Sequence, residues 1–401
     1  MKIGILRETT HSNDPRVALT PRHAQVLLER FPSLQIVVQP SNRRIFSNKE
    51  YLEAGIEMNE DISACDILLG VKEVSLNTII QGKNYLFFAH VAKKQTKNQT
   101  YFQGLSQKKI TLIDYEYLVD DKKQRIIAFG YWAGITGCYY ATLALLKKIS
   151  PLEIKTDSFY SILKQWNELT DQIELPPVKF LITGSGQSAK GASKTLEKLG
   201  VLAVKPEDFH RCFTKPVFTV LKRKHHMVHK QNRPYSKQEY QLHPELFQSE
   251  LKQIIGLADV YLACHYWEKQ FPKFLLREDF LQKPMNLKVI ADITCDVNGS
   301  VASTIRESTH KKPFYDYNPE SSAEEEAFSS ESNITVMAIG NLPALIAREA
   351  SIHFSELLTK EIIPKLLSNE TEELIAKATI LKDGKLSSHF LYLYDYLNLK
   401  S

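Results

Sequence analysis

The chain has 401 residues, 43% of them apolar and 24% charged, which is longer than one hydrophobic core usually serves and predicts two domains. With 51 basic against 46 acidic residues, the net charge of +5 is too balanced for a dedicated nucleic-acid binder, although it suits an anionic small molecule. No stretch approaches the ~18 consecutive apolar residues of a membrane span, and Met1-Lys-Ile-Gly-Ile-Leu6 lacks a signal-peptide pattern, so no membrane partner and a cytoplasmic location are expected.

The predicted elements begin with β-rich runs at Lys2 to Leu6, Gln35 to Val38, Asp66 to Val71, Tyr85 to His90 and Ile110 to Asp114. Between them lie amphipathic stretches such as Pro21 to Phe31, where Ala24, Val26, Leu27 and Leu28 make an apolar stripe. This alternation predicts a mostly parallel sheet covered on both faces. Gly134 to Lys148 is apolar around most of its circumference and is expected as a buried helix joining two domains. A second alternating region follows through Lys179 to Thr183, Val201 to Lys205, Asp259 to Cys264 and Leu287 to Ile293. The acidic stretch Glu320 to Glu331 is expected as an exposed loop, and Asn341-Leu-Pro343 as the start of a long helix returning to the first domain. The predicted fold class is therefore α/β, with two Rossmann-like domains of mostly parallel sheet joined by long helices and a cleft between them. The expected boundaries are 1–133, completed by 341–401, and 134–340; the segment 150–178 and the tail beyond Leu367 carry no interpretable motif.

Five scattered cysteines, Cys65, Cys138, Cys212, Cys264 and Cys295, form no C-x-x-C pair, so reduced and mostly buried thiols are expected and no metal site.

Strand Lys179 to Thr183 runs straight into Gly184-Ser185-Gly186-Gln-Ser-Ala189-Lys-Gly191-Ala192, a G-x-G-x-x-A loop opening an amphipathic helix. The first glycine permits a tight turn, the second lets backbone approach a pyrophosphate, and the small Ala189 allows close packing. Unpaired N–H groups and the dipole at the helix start favour phosphate there. A ribose-binding acid is expected about 20 positions on, where Glu207 and Asp208 fall. The basic run Lys222-Arg-Lys-His-His226 is either a solvated face or the seat of a 2′-phosphate.

In the first domain Arg16 precedes a helix that Thr20 can cap, and its planar fork suits carboxylate binding. Lys72-Glu73 follows one strand and His90 closes another, at the carboxyl ends where α/β sheets bind ligands. Burial and neighbouring charge can bring a lysine or histidine pKa toward neutrality, which makes Lys72 and His90 candidate proton carriers.

Taken together, Gln39-Pro-Ser-Asn-Arg-Arg44, Phe87-Phe-Ala-His90, Leu112-Ile-Asp-Tyr-Glu116, Ala128-Phe-Gly-Tyr-Trp-Ala-Gly134, the Gly184 to Ala192 loop, His243-Pro-Glu245, His265-Tyr-Trp-Glu268, Asp292-Ile-Thr-Cys-Asp296 and Asn341-Leu-Pro343 carry a resemblance. The chain resembles the lysine-2-oxoglutarate reductase unit, or lysine-forming saccharopine dehydrogenase, within the alanine dehydrogenase and transhydrogenase superfamily. That resemblance implies condensation of the lysine ε-amine with 2-oxoglutarate and reduction of the imine to saccharopine by a nicotinamide hydride. It implies Lys72 and His90 as the acid/base pair, Arg16, Arg43, Arg44 and Arg125 as partners of substrate carboxylates, and Glu73 and Glu116 as neighbours that tune the pair. The domain of residues 1–133 would then be the substrate domain and 134–340 the dinucleotide domain. On the cofactor side it implies Gly184, Ser185, Gly186, Ala189, Gly191, Asp208, Arg223, His265 and Asp292, with NADP expected and NAD the alternative. Length leaves no room for a separate glutamate-forming dehydrogenase, so a free-standing reductase is expected; its quaternary state stays open.

Two other readings compete. An alanine-dehydrogenase-like enzyme would use Arg16, Lys72 and His90 on a keto acid, and a catalytically silent dinucleotide or amino-acid sensor would keep the fold without turnover.

Overall fold

The computed structural model describes residues 1–9, 14–149, 173–368 and 372–398, so most of the unassigned segment 150–178 lies outside the described residues. The chain divides into two compact units, Met1–Phe129 with Ala347–Ser401, and Gly130–Ile346.

In the first unit β1 (Lys2–Ile5), β2 (Gln35–Val38), β3 (Glu57–Met58), β4 (Ile67–Lys72), β5 (Asn84–Phe88) and β6 (Thr111–Asp114) are joined by the late strands Thr379–Lys382 and Lys385–Leu386. The sheet runs Lys385–Leu386, Thr379–Lys382, β6, β5, β4, β1, β2, β3. β1 to β6 pair in parallel and the two late strands antiparallel. Central strands read as unbroken apolar runs because both faces are covered: Leu68, Leu69, Val71, Tyr85, Leu86 and Phe87 are all fully buried. The helix Pro21–Arg30 starts where expected, with proline in its first turn and the Thr20 side chain accepting from the His23 N–H. Strand order reverses at β1, which has β2 on one side and β4 on the other. The residues following β1 and ending β4 therefore meet at the position where parallel sheets open a ligand crevice.

In the second unit β7 (Lys179–Thr183), β8 (Leu202–Ala203), β9 (Val217–Leu221), β10 (Met227–His229), β11 (Phe247–Ser249), β12 (Val260–Ala263), β13 (Val289–Asp292), β14 (Tyr315–Asn318), β15 (Ala323–Glu325) and β16 (Ile334–Met337) follow in sequence. The main sheet runs β15, β14, β16, β13, β12, β7, β9, β8, and β10 pairs with β11 apart from it. Order reverses at β7, the strand that feeds the phosphate loop. The long helix Gly130–Ile149 begins four residues earlier than its apolar run suggests.

Two expectations need correction. The stretch Glu320 to Glu331 is not all loop, because β15 pairs antiparallel with β14. Its charge is accommodated by Asn318 and Asn333, whose amides donate to the Glu325 carboxylate at 2.6 and 2.7 Å. The long helix expected from Asn341 is broken as well: a 3-10 turn Leu342–Ile346 precedes the α-helix Ala347–Leu357, and a π-turn Leu358–Ile362 precedes Ile363–Leu367. Pro364 has no N–H to give to a carbonyl one turn back, and the helix widens just before it.

Candidate active site

Three consecutive strands of the first unit place the central side chains. The pairing of β4 with β5 shifts register between Leu69 and Lys72, a bulge that re-aims the end of the strand. His90 lies two residues past β5 in a left-handed conformation, φ 55°. That is an uncommon backbone state for a non-glycine residue. Lys72 Nζ and His90 Nε2 stand 3.1 Å apart. Beyond β6, the 3-10 turn Tyr115–Tyr117 carries Glu116, whose carboxylate lies 3.7 Å from His90 Nδ1 and 3.4 Å from Lys93 Nζ and also pairs with Arg125.

The electrostatics follow from this packing. Burial, reinforced by the Arg16 charge, pushes the Lys72 pKa below its ordinary value, against the opposing pull of Glu73, Asp14 and Glu8. Burial alone would raise Glu116, but hydrogen bonding to His90 and the charges of Arg125 and Lys93 bring it down to about 2. The cluster therefore joins a lysine disposed to lose its proton, a histidine and a firmly ionised carboxylate.

Arg16 is buried and held in a two-point pair with Asp14, Nε to Oδ1 at 2.8 Å and Nη2 to Oδ2 at 2.6 Å. Its guanidinium lies 4.1 Å from the Phe129 ring, which stacks on Phe354 at 4.5 Å. Ser351 and Ser355 accept the Val17 and Thr20 N–H groups and fix the segment that carries Arg16. Arg43 and Arg44 are placed differently. Arg43 is exposed, and Arg44 packs on Tyr51 while donating to Phe46 O and Asn48 Oδ1. Among the described residues no hydrogen bond ties either arginine to the Lys72 cluster.

The sequence reading missed three carboxylates. Asp14 sits two residues before Arg16, a spacing that itself was a signal. Asp114 accepts the Ala89 and Glu116 N–H groups at 3.1 and 2.8 Å, and Glu8 accepts those of Val71 and Lys72 at 2.6 and 3.1 Å. Burial drives both upward, Asp114 and Glu8 each to about 7.

The second unit holds the glycine loop. Gly184 takes φ 112°, and a side chain there would strike the Cys264 carbonyl. Beside Gly186 the space is open at the start of the helix Gln187–Lys198, so backbone N–H groups can approach a phosphate. Ala189 is buried, while Gly191 and Gly134 let two helices touch: a Cβ on either would run into the backbone of the other helix, at Tyr131 O or Ser188 O. Ser185, Lys190, Lys194 and Lys222 line a groove of about 450 Å³ beside the loop. Lys222 follows β9, the strand hydrogen-bonded to β7, with Gly184 N donating to Leu221 O at 3.0 Å. Asp208 does not line this groove and pairs with Arg211 at 3.0 Å. Arg223 lies over Tyr240 at 4.6 Å. His265 is buried between Thr183 Oγ1 at 2.8 Å and Ser300 Oγ at 2.7 Å, and burial keeps it neutral. Asp292 accepts from Thr294 and Thr304, both at 2.6 Å.

Two mostly parallel sheets, one feeding the glycine loop and the other the cluster of Lys72, His90 and Glu116, give a two-domain α/β architecture of Rossmann type. The family model "Alanine dehydrogenase/PNT, N-terminal domain" matches residues 4–136. An L-alanine dehydrogenase structure superposes over 99% of this chain and all of its own, with TM-score 0.65 at 13% identity. The transhydrogenase from Sinorhizobium meliloti does so over 96% and 98%, with TM-score 0.59 at 14% identity. Alpha-aminoadipic semialdehyde synthase of Arabidopsis thaliana is 30% identical over 98% of this chain and 41% of its own length. Its mitochondrial counterpart in Rattus norvegicus is 27% identical over 98% and 47%. Saccharopine dehydrogenase [NAD(+), L-lysine-forming] of Schizosaccharomyces pombe is 24% identical over 90% and 92%. The chain thus spans less than half the length of the plant and rat relatives and nearly all of the fission-yeast one.

Residues 4–136 are thus similar to the alanine dehydrogenase/PNT N-terminal domain, and the chain as a whole is similar to the saccharopine dehydrogenases. Among the described residues no helix is long and apolar enough to cross a membrane.

Proposed function

We propose that the chain is a lysine-2-oxoglutarate reductase, condensing the lysine ε-amine with 2-oxoglutarate and reducing the imine to saccharopine. The observation that carries this reading is the 3.1 Å contact of Lys72 with His90 beside Arg16 and the ionised Glu116. The first unit holds the substrate chemistry and the second the dinucleotide.

Imine formation needs an unprotonated amine and a proton for the departing water. Buried Lys72, disposed to be neutral, takes the proton from the substrate ammonium, and His90 relays it to the leaving hydroxyl. Glu116 stabilises the imidazolium that this transfer creates, while Arg16, Arg125 and Lys93 supply the positive field for substrate carboxylates. The phosphate loop fits a dinucleotide, because Gly184 makes the turn, Gly186 leaves the approach open and the helix start offers N–H groups. When bound, the nicotinamide supplies the hydride.

NADP is the favoured form. Lys222 occupies the end of the strand beside the phosphate strand, where an acid would otherwise select the free ribose, and Asp208 stands outside the groove. The test follows reduced-cofactor absorbance with lysine and 2-oxoglutarate, using NADPH and NADH separately and pyruvate with ammonia as control. Lysine-dependent oxidation is expected; turnover only with pyruvate and ammonia would replace the reading with alanine-type chemistry.

A further inference from the structure

Glu8 stands outside the acid/base relay, yet its carboxylate bridges the two peptide groups that lead into Lys72. One oxygen accepts Val71 N–H at 2.6 Å and the other Lys72 N–H at 3.1 Å. Val71 lies inside the register break between β4 and β5, and Lys72, which pairs with Phe88, closes it; such a bulge interrupts the regular ladder. A carboxylate reaching across from the end of β1 supplies the missing acceptors. Gly70, beside it, has little room to spare: a side chain there would come within 3.4 Å of the Glu8 oxygen. The charged neighbours of Glu8 are Asp14 and Arg16 from its own connection and Lys72 from β4, and Tyr115 faces it from beyond β6.

We propose that Glu8 is a positioning residue that clamps the Val71–Lys72 bulge, so that Lys72 is held against His90 and its ammonium form is stabilised by the clamp's charge. The carboxylate would act through Lys72 and touch no substrate. This rests on Lys72 being the proton carrier of the reading above. Burial carries the Glu8 carboxyl up to about 7, so the charge of the clamp is present above that pH and is lost as pH falls through it.

The test is competitive trace labelling of lysines with acetic anhydride across pH, read by mass spectrometry on the full chain. It gives the titration midpoint and reactivity of Lys72 whether or not any substrate turns over. In Glu8→Gln the amide keeps one acceptor and loses the charge, so the Lys72 midpoint is expected to fall by about one pH unit. Alongside it, kcat should drop by roughly ten- to a hundredfold with little change in cofactor Kd. Glu8→Asp keeps the charge but reaches only one N–H, and a smaller downward shift is expected; it serves as the readout should the glutamine variant not fold. An unchanged Lys72 midpoint in whichever variants fold overturns the proposal. A shifted midpoint in a protein that turns over neither lysine nor alanine substrates would sustain the clamp and reject the reaction assigned above.

Discussion

Lys72 and His90, 18 residues apart in sequence, meet nitrogen to nitrogen at 3.1 Å. Such a contact is attractive only when one nitrogen donates and the other accepts, so the pair favours holding a single proton between them. Sharing a proton is what a relay between an amine and a leaving hydroxyl requires. Lys72→Met and His90→Gln should each lower kcat by about two to four orders of magnitude. Both should leave dinucleotide binding within twofold when measured by fluorescence titration. Loss of cofactor binding in either variant would show that the substitutions disturb more than the proton path.

Asp114 and Glu116, two residues apart, should titrate in opposite senses. Asp114 is carried by burial from 3.8 to about 7, so its contribution to stability is complete below pH 3.8 and lost as pH rises through 7. Glu116 is carried from 4.5 down to about 2, so its contribution is present above pH 4.5 and lost as pH falls toward 2. Relative to wild type, Asp114→Asn should therefore gain stability between pH 4 and 8, on the order of 4 kcal/mol. Glu116→Gln should instead lose stability relative to wild type between pH 2 and 5. Urea denaturation midpoints of the three proteins across this range check both signs; parallel curves would remove the electrostatic account of the cluster.

The two ends of this cluster were not equally legible in the sequence. Lys72 and His90 could be read because each follows a run of buried β residues, and parallel strands deliver their carboxyl ends to one edge. Glu8 and Asp114 also follow strands, but an acid after a strand has the look of an ordinary turn residue. What distinguishes them is which N–H groups they accept, and only tertiary packing decides that. The ribose position was hard to read for a topological reason. Counting about 20 residues from the loop leads to Asp208, but the chain first makes the edge strand β8 and then inserts β9 between it and β7. Lys222, 36 positions beyond Gly186, follows β9 and lines the groove at the loop's flank. The parallel fold itself was legible, since long apolar strands alternating with amphipathic helices have few other solutions.

Gly191 and Gly134 bind the phosphate-loop helix to the long helix Gly130–Ile149 through backbone contact, so neither position has room for a methyl group. Gly191→Ala must push Tyr131 and the loop helix apart. A cost of about 1–3 kcal/mol is expected for forcing volume into a packed contact. Dinucleotide affinity should fall with it, because the helix start that faces the phosphates moves. Gly186→Ala is the contrasting case, since no atom lies within 4 Å of its would-be side chain in this structure. It should leave the melting temperature unchanged while weakening dinucleotide binding, because the added methyl enters the phosphate approach. Calorimetric melting and binding titration of both variants separate packing from ligand clearance.

If the proposed preference for NADP holds, cofactor choice turns on Lys222. Lys222 lines the groove together with Ser185, Lys190 and Lys194. A 2′-phosphate placed there would gain charge-assisted hydrogen bonds, whereas a bare ribose would gain none of that and would lack an acceptor for its hydroxyl. Lys222→Ala should therefore raise KM for NADPH by about tenfold and leave KM for NADH nearly unchanged. Lys222→Glu should go further and reverse the preference, since a carboxylate repels the phosphate and accepts the ribose hydroxyl. Arg223, stacked on Tyr240, supplies a control: its replacement by Lys should alter the ratio of the two KM values less than Lys222→Ala does. An NADPH-to-NADH ratio insensitive to Lys222 would move the discriminating contact out of this groove.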